Sequence, residues 1–382
     1  MALVLTGDGA ISGLLPGGLP DNSILARDLA NSGYELGMRN RIINGAMMID
    51  QRNAGASVSA TNNTYTLDRW FSVSYDAGAT TGKYTVQQNA GAVTPPVGFS
   101  NYLGVVSSAA TSVSSSGIYC LNQTIEGFNI SDLAWGTANA KPVTLSFQVY
   151  SSLTGTFGGA INAPVGSYNY PFSYSIPVAN TWTTISVTIP GPITGTWPTN
   201  NAAGMSIRIG LGGGASWAQP AGAWTSSTAF TATGCVSVVG TNGATFYITG
   251  VQLEKGSQAT PFEWRSYGTE LALCQRYFSS SWPTGVAVGA YGANTYYSGI
   301  STGTATVNQI IVLVGFPVEM RAIPTFTTYD IANPPAAGKA YKGGNGKTSY
   351  ATAGSTRQIY AGSQDATSSP EMVFQWTANA EL

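Results

Sequence analysis

The segment Val143-Thr144-Leu145-Ser146-Phe147-Gln148-Val149-Tyr150 sets an apolar side chain at every odd position and a polar or amphipathic one at every even position. Successive side chains of an extended chain point to opposite faces, so this period of two predicts a β-strand with one buried and one polar face. The run Thr183-Thr184-Ile185-Ser186-Val187-Thr188-Ile189 repeats the pattern, and Ala244-Thr245-Phe246-Tyr247-Ile248-Thr249-Gly250-Val251 repeats it in large part. From Asn40 to about Arg265, Gly, Asn, Ser and Pro break up such stretches, which is how the strands of an antiparallel sandwich read.

Composition agrees. Only 9% of the 382 residues are charged and 47 are Gly, against roughly 25% and 7% in an average globular protein. Such a chain is either inserted in a membrane or β-rich and solubilised by hydroxyls and amides. The best apolar run, Ile310 to Val318, is about half of the ~20 residues a spanning helix needs. Residues Met1 to Asp8 lack the basic n-region of a signal peptide, so synthesis and folding in a cytoplasm are expected. Between Asp132 and Glu254 there is no acidic residue, and between Lys141 and Lys255 Arg208 is the one basic residue.

Absent residue types exclude whole chemistries. With no histidine in the chain, Ser-His-Asp and Cys-His nucleophile systems, His-ligated zinc and imidazole acid/base catalysis are ruled out. Cys120, Cys235 and Cys274 are far apart in sequence, too few for a disulfide framework, and read as buried free thiols. A net charge of −1 with scattered basic residues leaves no electrostatic footprint for nucleic acid or anionic lipid.

The expected fold class is all-β: a short N-terminal attachment segment over 1–35, a central antiparallel jelly-roll sandwich over 36–266, a connector helix within 267–280, and a small C-terminal β-domain over 281–382. In the first segment Asp21-Asn22-Ser23 can cap a short helix through Ile24 to Ala30. Gly268 to Phe278 carries the second helix signal, with Thr269 as its cap and a hinge or spacer as its role. Strands are expected over Thr304 to Val314, Thr325 to Tyr329 and Glu371 to Trp376. Asp68-Arg69 beside Trp70 predicts a local ion pair, and Arg52 or Arg69 is expected to pair with Glu254 or Glu263 where first and last strands meet.

Two motif pairs carry a resemblance. Asn40-Arg41-Ile42-Ile43-Asn44-Gly45-Ala46-Met47-Met48-Ile49-Asp50-Gln51-Arg52 with Tyr65-Thr66-Leu67-Asp68-Arg69-Trp70 resembles the opening of a virion protein type of tailed bacteriophages. Tyr247 to Gly256 followed by Ala259-Thr260-Pro261-Phe262-Glu263-Trp264-Arg265-Ser266 resembles its closing strand and exit. The resemblance implies a jelly roll of the carbohydrate-binding-module type in a tail fibre or other receptor-binding virion protein, assembled as a homotrimer in the virion. It also implies that residues 1–35 attach the fibre to other virion proteins, since Leu5-Thr6-Gly7-Asp8-Gly9 looks like such a segment. Partners implied are host-surface glycan or protein.

No catalytic site, metal or cofactor is expected. A glycosidase needs two carboxylates ~5 to 9.5 Å apart, and the central region offers none. Asp50 and Glu254 are hard-oxygen donors for Ca2+, but two carboxylates without a ligand-dense loop assign no ion. Aromatics make up 11% of the chain and suit stacking on sugars. The stripe Tyr168, Tyr170, Phe172 and Tyr174 would share one strand face, either as a glycan platform or packed inside the sandwich. Trp197, Trp217 and Trp224, and in the C-terminal domain Tyr291, Tyr296 and Tyr297, sit among loop-forming residues and are the candidate glycan or receptor contacts. The alternatives are a purely structural component, a head-decorating fibre or tail adaptor whose aromatics serve packing, and a polysaccharide depolymerase acting through Glu254, Glu263 or Asp330.

Overall fold

The computed structural model describes residues 4–5, 11–12, 38–76, 82–164, 168–292, 297–300, 309–342, 345–352, 354–364 and 371–382. The chain divides into two compact units, Met1–Arg39 and Asn40–Leu382. In the first, β1 (Val4–Leu5) pairs antiparallel with β2 (Ile11–Ser12); the helix expected over Ile24 to Ala30 lies outside the described residues.

The second unit opens into a sandwich. Its strands are β3 (Val58–Ser59), β4 (Thr64–Leu67), β5 (Trp70–Tyr75), β6 (Tyr84–Gln88), β7 (Leu103–Ser107), β8 (Ile118–Glu126) and β9 (Val143–Ser151). There follow β10 (Gly155–Asn162), β11 (Asn169–Ile176), β12 (Thr183–Ile189), β13 (Ala203–Gly213), the short parallel pair β14 (Ala218–Gln219) and β15 (Thr231–Ala232), and β16 (Thr245–Lys255). One antiparallel sheet runs β11-β10-β13-β8-β5-β4 and the other β12-β9-β16-β7-β6-β3. The chain crosses repeatedly between them, as a jelly roll requires.

Alternation decides which side chains meet between the sheets. Val143, Leu145, Phe147 and Val149 of β9 are buried there, with Ile185 and Ile189 of β12, Phe157 and Ile161 of β10, and Ile207 and Ile209 of β13. In β16 the buried set switches parity, from Phe246 and Ile248 to Val251 and Leu253. A bulge at Gly250, whose φ is +63°, shifts the register between Thr249 and Gln252. The extra residue turns Gln252 and Glu254 towards the exit segment, where the Glu254 carboxylate accepts the backbone N–H and hydroxyl of Thr260. β16 is also buried on its outer face, unlike the half-buried strand expected: Tyr102, Tyr150, Trp182 and Tyr247 form an aromatic layer over it.

After the sandwich comes α1 (Tyr267–Gln275), which begins one turn earlier than expected. Its N-cap is Ser266, whose hydroxyl accepts the Thr269 N–H, rather than Thr269 itself. It is not a bare spacer: Cys274 packs with Ile43, Ile49 and Tyr277, and Arg276 just beyond it forms a two-pronged pair with Glu126 at 2.6 and 3.0 Å. The third sheet holds β17 (Phe278–Ser280), β18 (Tyr297–Ile300), β19 (Gln309–Gly315), β20 (Thr325–Tyr329), β21 (Lys339–Lys342), β22 (Asn345–Thr352), β23 (Gln358–Gln364) and β24 (Glu371–Asn379). β24 is its spine, flanked by β17 and β20 at one end and β18 and β21 at the other. Met372, Phe374, Trp376 and Ala378 alternate along it into a separate core.

The charges that close the sandwich pair differently from expectation. Arg52 and Arg69 both meet Glu381, beyond the last expected strand at Trp376, instead of Glu254 or Glu263. Asp68 does not pair with its neighbour Arg69; it accepts the backbone N–H and the side-chain amide of Gln51, each at 2.7 Å. Both are turn residues between β4 and β5, and the left-handed backbone at Arg69, φ +69°, sends the two side chains to different partners. Asp50, weighed as a calcium ligand, accepts the backbone N–H groups of Arg52, Asn53 and Gly55 and so pins the turn after the opening motif.

Candidate functional site

The outer face of the first sheet is divided by a cover. Residues 229–239 lie flat on β10 and β13 because those strands carry glycine there. A Cβ added at Gly210 would stand 2.6 Å from Thr231 Oγ1, one at Gly158 2.6 Å from Cys235 Sγ, and one at Gly212 2.7 Å from Val239 Cγ2. Side chains at these positions would prop the cover off the sheet. Asparagines then tie it down. Asn162 Nδ2 donates to the Ala229 carbonyl at 2.6 Å, and Asn169 Nδ2 donates to that of Ser227 at 2.9 Å.

Where the cover ends, a cleft of about 450 Å³ opens over β5, β8 and β13, within the size range of ligand pockets. Its floor follows the strand register. Phe71 of β5 lies opposite Asn122 of β8, which lies opposite Arg208 of β13. Along the same face come Val73 and Ile118, then Thr124 and Ser206, whose hydroxyls meet at 2.9 Å. Phe230, at the edge of the cover, forms one wall; Asn62 and Asn63, in the turn before β4, are part of the other.

Two polar atoms in this floor lack a hydrogen-bond partner, Asn122 Oδ1 and Arg208 Nε. Asn122 is 3% exposed; its amide nitrogen makes a long contact of 3.4 Å to Thr124 Oγ1. The Arg208 guanidinium stacks on Phe230 with 3.6 Å from Cζ to the ring centroid, and Nη1 reaches the Ala229 carbonyl at 3.4 Å. Burial pushes its pKa down to about 10. The adjacent Cys120 thiol is pushed up to about 12 by burial, so it is neutral and supplies no counter-charge. Among the described residues the cleft's lining side chains hold one positive charge and no carboxylate.

Of the sequence-predicted contacts the structure brings Trp197 and Trp224 together, away from the cleft. Trp197 is buried at 7% exposure and packs edge-on to Trp135 and Trp224, with ring centroids 4.7 and 5.7 Å away. Trp224 is itself stacked on Tyr168 at 5.3 Å and donates its indole N–H to the Pro190 carbonyl at 2.7 Å. Trp197 closes the sandwich interior, a correction to its reading as a free loop residue, while half-buried Trp224 packs against the same core. Trp217 donates to the Ser116 carbonyl and meets Phe230 edge-on at 5.3 Å, so it backs the cleft wall. Tyr291 is 60% exposed in a loop remote in sequence from the cleft, Tyr297 belongs to β18, opposite Phe374 of β24, and Tyr296 lies outside the described residues. Of the aromatic stripe, Tyr170, Phe172 and Tyr174 point into the core, so packing is the role the structure gives them.

Sequence reading missed the floor. Phe71, Asn122 and Arg208 come from three strands far apart in the chain, and a half-polar strand face looks the same whether it faces solvent or a cleft. One signal was there: Arg208 is the single cation in over a hundred residues.

No protein-family model matches the sequence, and no curated protein matches it. Among solved structures, the chain is similar to the enzymatically active domain of tailspike protein 4 of bacteriophage CBA120, at 14% identity and a TM-score of 0.29, over 57% of this chain and 21% of that one. It is similar to TmCBM61 in complex with β-1,4-galactotriose, at 10% identity and a TM-score of 0.29, over 57% and 99%. It is also similar to the family 11 carbohydrate-binding module of Clostridium thermocellum, at 12% identity and a TM-score of 0.26, over 52% and 95%. The chain thus spans about a fifth of the tailspike protein it matches. Scores of this size assign no function, and the proposal below rests on the residues of the cleft and of the bracketing motifs.

Proposed function

We propose that this chain is a non-enzymatic virion protein of a tailed bacteriophage, a tail fibre or related receptor-binding protein, which recognises host-surface glycan through the cleft on its sandwich. The observation that carries the glycan reading is the row Phe71–Asn122–Arg208, an apolar ring, an unpartnered acceptor and a donor on three adjacent rigid strands. A sugar ring offers an apolar face and a rim of hydroxyls, so it can cover the phenyl ring and satisfy the polar atoms together. Leaving buried polar groups unpaired costs about 1–3 kcal/mol each, which a ligand returns on binding. The phage assignment, the homotrimer and virion attachment through residues 1–35 rest on the motif resemblance.

A structural role, as a decoration or adaptor, is the second reading. It is favoured by Ile311, Leu313 and Tyr360, each at least 39% exposed on the paired strands β19 and β23, which form an apolar strip fit for another protein surface. The test is binding of the purified chain to host cells and to isolated surface glycan, with immunogold placement on particles. Phe71→Ala and Asn122→Ala are expected to weaken glycan binding about tenfold. Full binding by both variants, with label confined to the head, would favour the structural role.

A further inference from the structure

Arg208 is an anomaly in a sandwich built to avoid charge. It stands in a stretch with no acidic residue from Asp132 to Glu254, and among the described residues no carboxylate lies within salt-bridge distance of it. Its guanidinium is held in place by the Phe230 ring and the Ala229 carbonyl, yet a ring face and one long hydrogen bond do not neutralise a partly buried cation. Elsewhere in this protein Arg52 and Arg69 meet Glu381 and Arg276 meets Glu126, while Arg321 donates to three backbone carbonyls within 3.0 Å; Arg208 has neither arrangement. The missing partner of Arg208 is therefore expected from outside the chain.

Resting on the glycan reading above, we propose that the cleft selects a carboxylated sugar, whose carboxylate pairs with the Arg208 guanidinium while a hydroxyl of the same sugar donates to Asn122 Oδ1. The two side chains are direct cross-strand neighbours, with Cβ atoms about 5 Å apart, so one ligand seated on this face can touch both. An uncharged sugar would satisfy Asn122 and leave the cation as it is. A guanidinium fork matches a planar carboxylate in a way an ammonium does not. Phe71, on the other side of Asn122, supplies the ring on which that sugar or its neighbour stacks.

The test is calorimetric titration of the full chain with two matched pairs, oligogalacturonate against its methyl ester and sialyllactose against lactose, which separate a uronate from a sialate source. The acid member of at least one pair is expected to bind about ten- to a hundredfold tighter than its neutral partner, and the gap to shrink in high salt. Arg208→Gln should erase the gap between acid and neutral members; Arg208→Lys should keep part of it. Asn122→Asp, which places a carboxylate across from the guanidinium, should lower acid affinity while the fold, followed by thermal unfolding, persists. Equal affinity within both pairs, or a preference that survives Arg208→Gln, would overturn acid selection and leave the glycan reading standing. No binding to any probe, nor to isolated host glycan, would overturn both.

Discussion

The carboxyl of Asp68 sits wholly inside the protein between the opening motif and β17. Gln51 donates two hydrogen bonds to it and a third, from the same side-chain amide, to the Phe278 carbonyl at 2.9 Å. Burial raises its pKa from 3.8 to about 6, against the lowering effects of Arg52 and of the Gln51 bonds. The folded state thus holds this proton more tightly than the unfolded chain. Its contribution to stability is fully present below about pH 4 and is lost as pH rises through about 6. We expect the stability of wild type relative to Asp68→Asn to increase by up to about 3 kcal/mol from pH 7 to pH 4, measured by urea unfolding. Asp50, also raised by burial, has the same sign and is common to both chains. The adjacency Asp68-Arg69 was legible in the sequence, but their separation was not: each finds its partner through the fold, Gln51 for one and Glu381 for the other.

At the scale of elements, the strands were legible and what lies on them was not. Period-two alternation marked β9 and β12, and the bulge at Gly250 explains why β16 followed the pattern in part only. The cover over 229–239 has no periodicity, because its side chains fit glycine gaps on another element. Gly210→Ala is expected to cost about 1–3 kcal/mol, since the new methyl would meet Thr231 Oγ1 at 2.6 Å and the Gly158 carbonyl at 2.9 Å. The cover should lift, loosening the wall that carries Phe230 and exposing 229–239 to protease. Thermal melting with limited proteolysis checks this; unchanged cleavage would mean the cover is held by its asparagines alone. The same logic explains the misread tryptophans: Gly, Pro and Thr neighbours locate a loop but do not say whether its ring points inward, as Trp197 does.

Across the whole second unit, the sandwich and the third sheet are joined by a buried ionic clasp. Arg69, 1% exposed, stacks on Tyr277 at 3.6 Å and pairs with Glu381, which also takes Arg52 at 2.9 Å. Arg321 adds a bond to the Ala380 carbonyl at 2.7 Å and one to the Asn201 carbonyl at 2.8 Å. Glu381→Ala would strand two guanidiniums, and a loss of about 3–5 kcal/mol is expected in denaturant unfolding. Sequence composition showed that charges cluster near the ends of the sandwich; it could not show that the acid comes from the end of β24, some 310 residues away. The cleft belongs to this scale as well, since its floor exists only when β5, β8 and β13 lie side by side.

The central claim is that this cleft is where a sugar binds, and a crystal structure of the full chain with isolated host-surface oligosaccharide tests it most directly. A sugar ring seated over Phe71, with an oxygen within hydrogen-bond distance of Asn122, is the predicted result. A sugar seated instead at Tyr291 or beside Trp224, with the cleft empty, would contradict it.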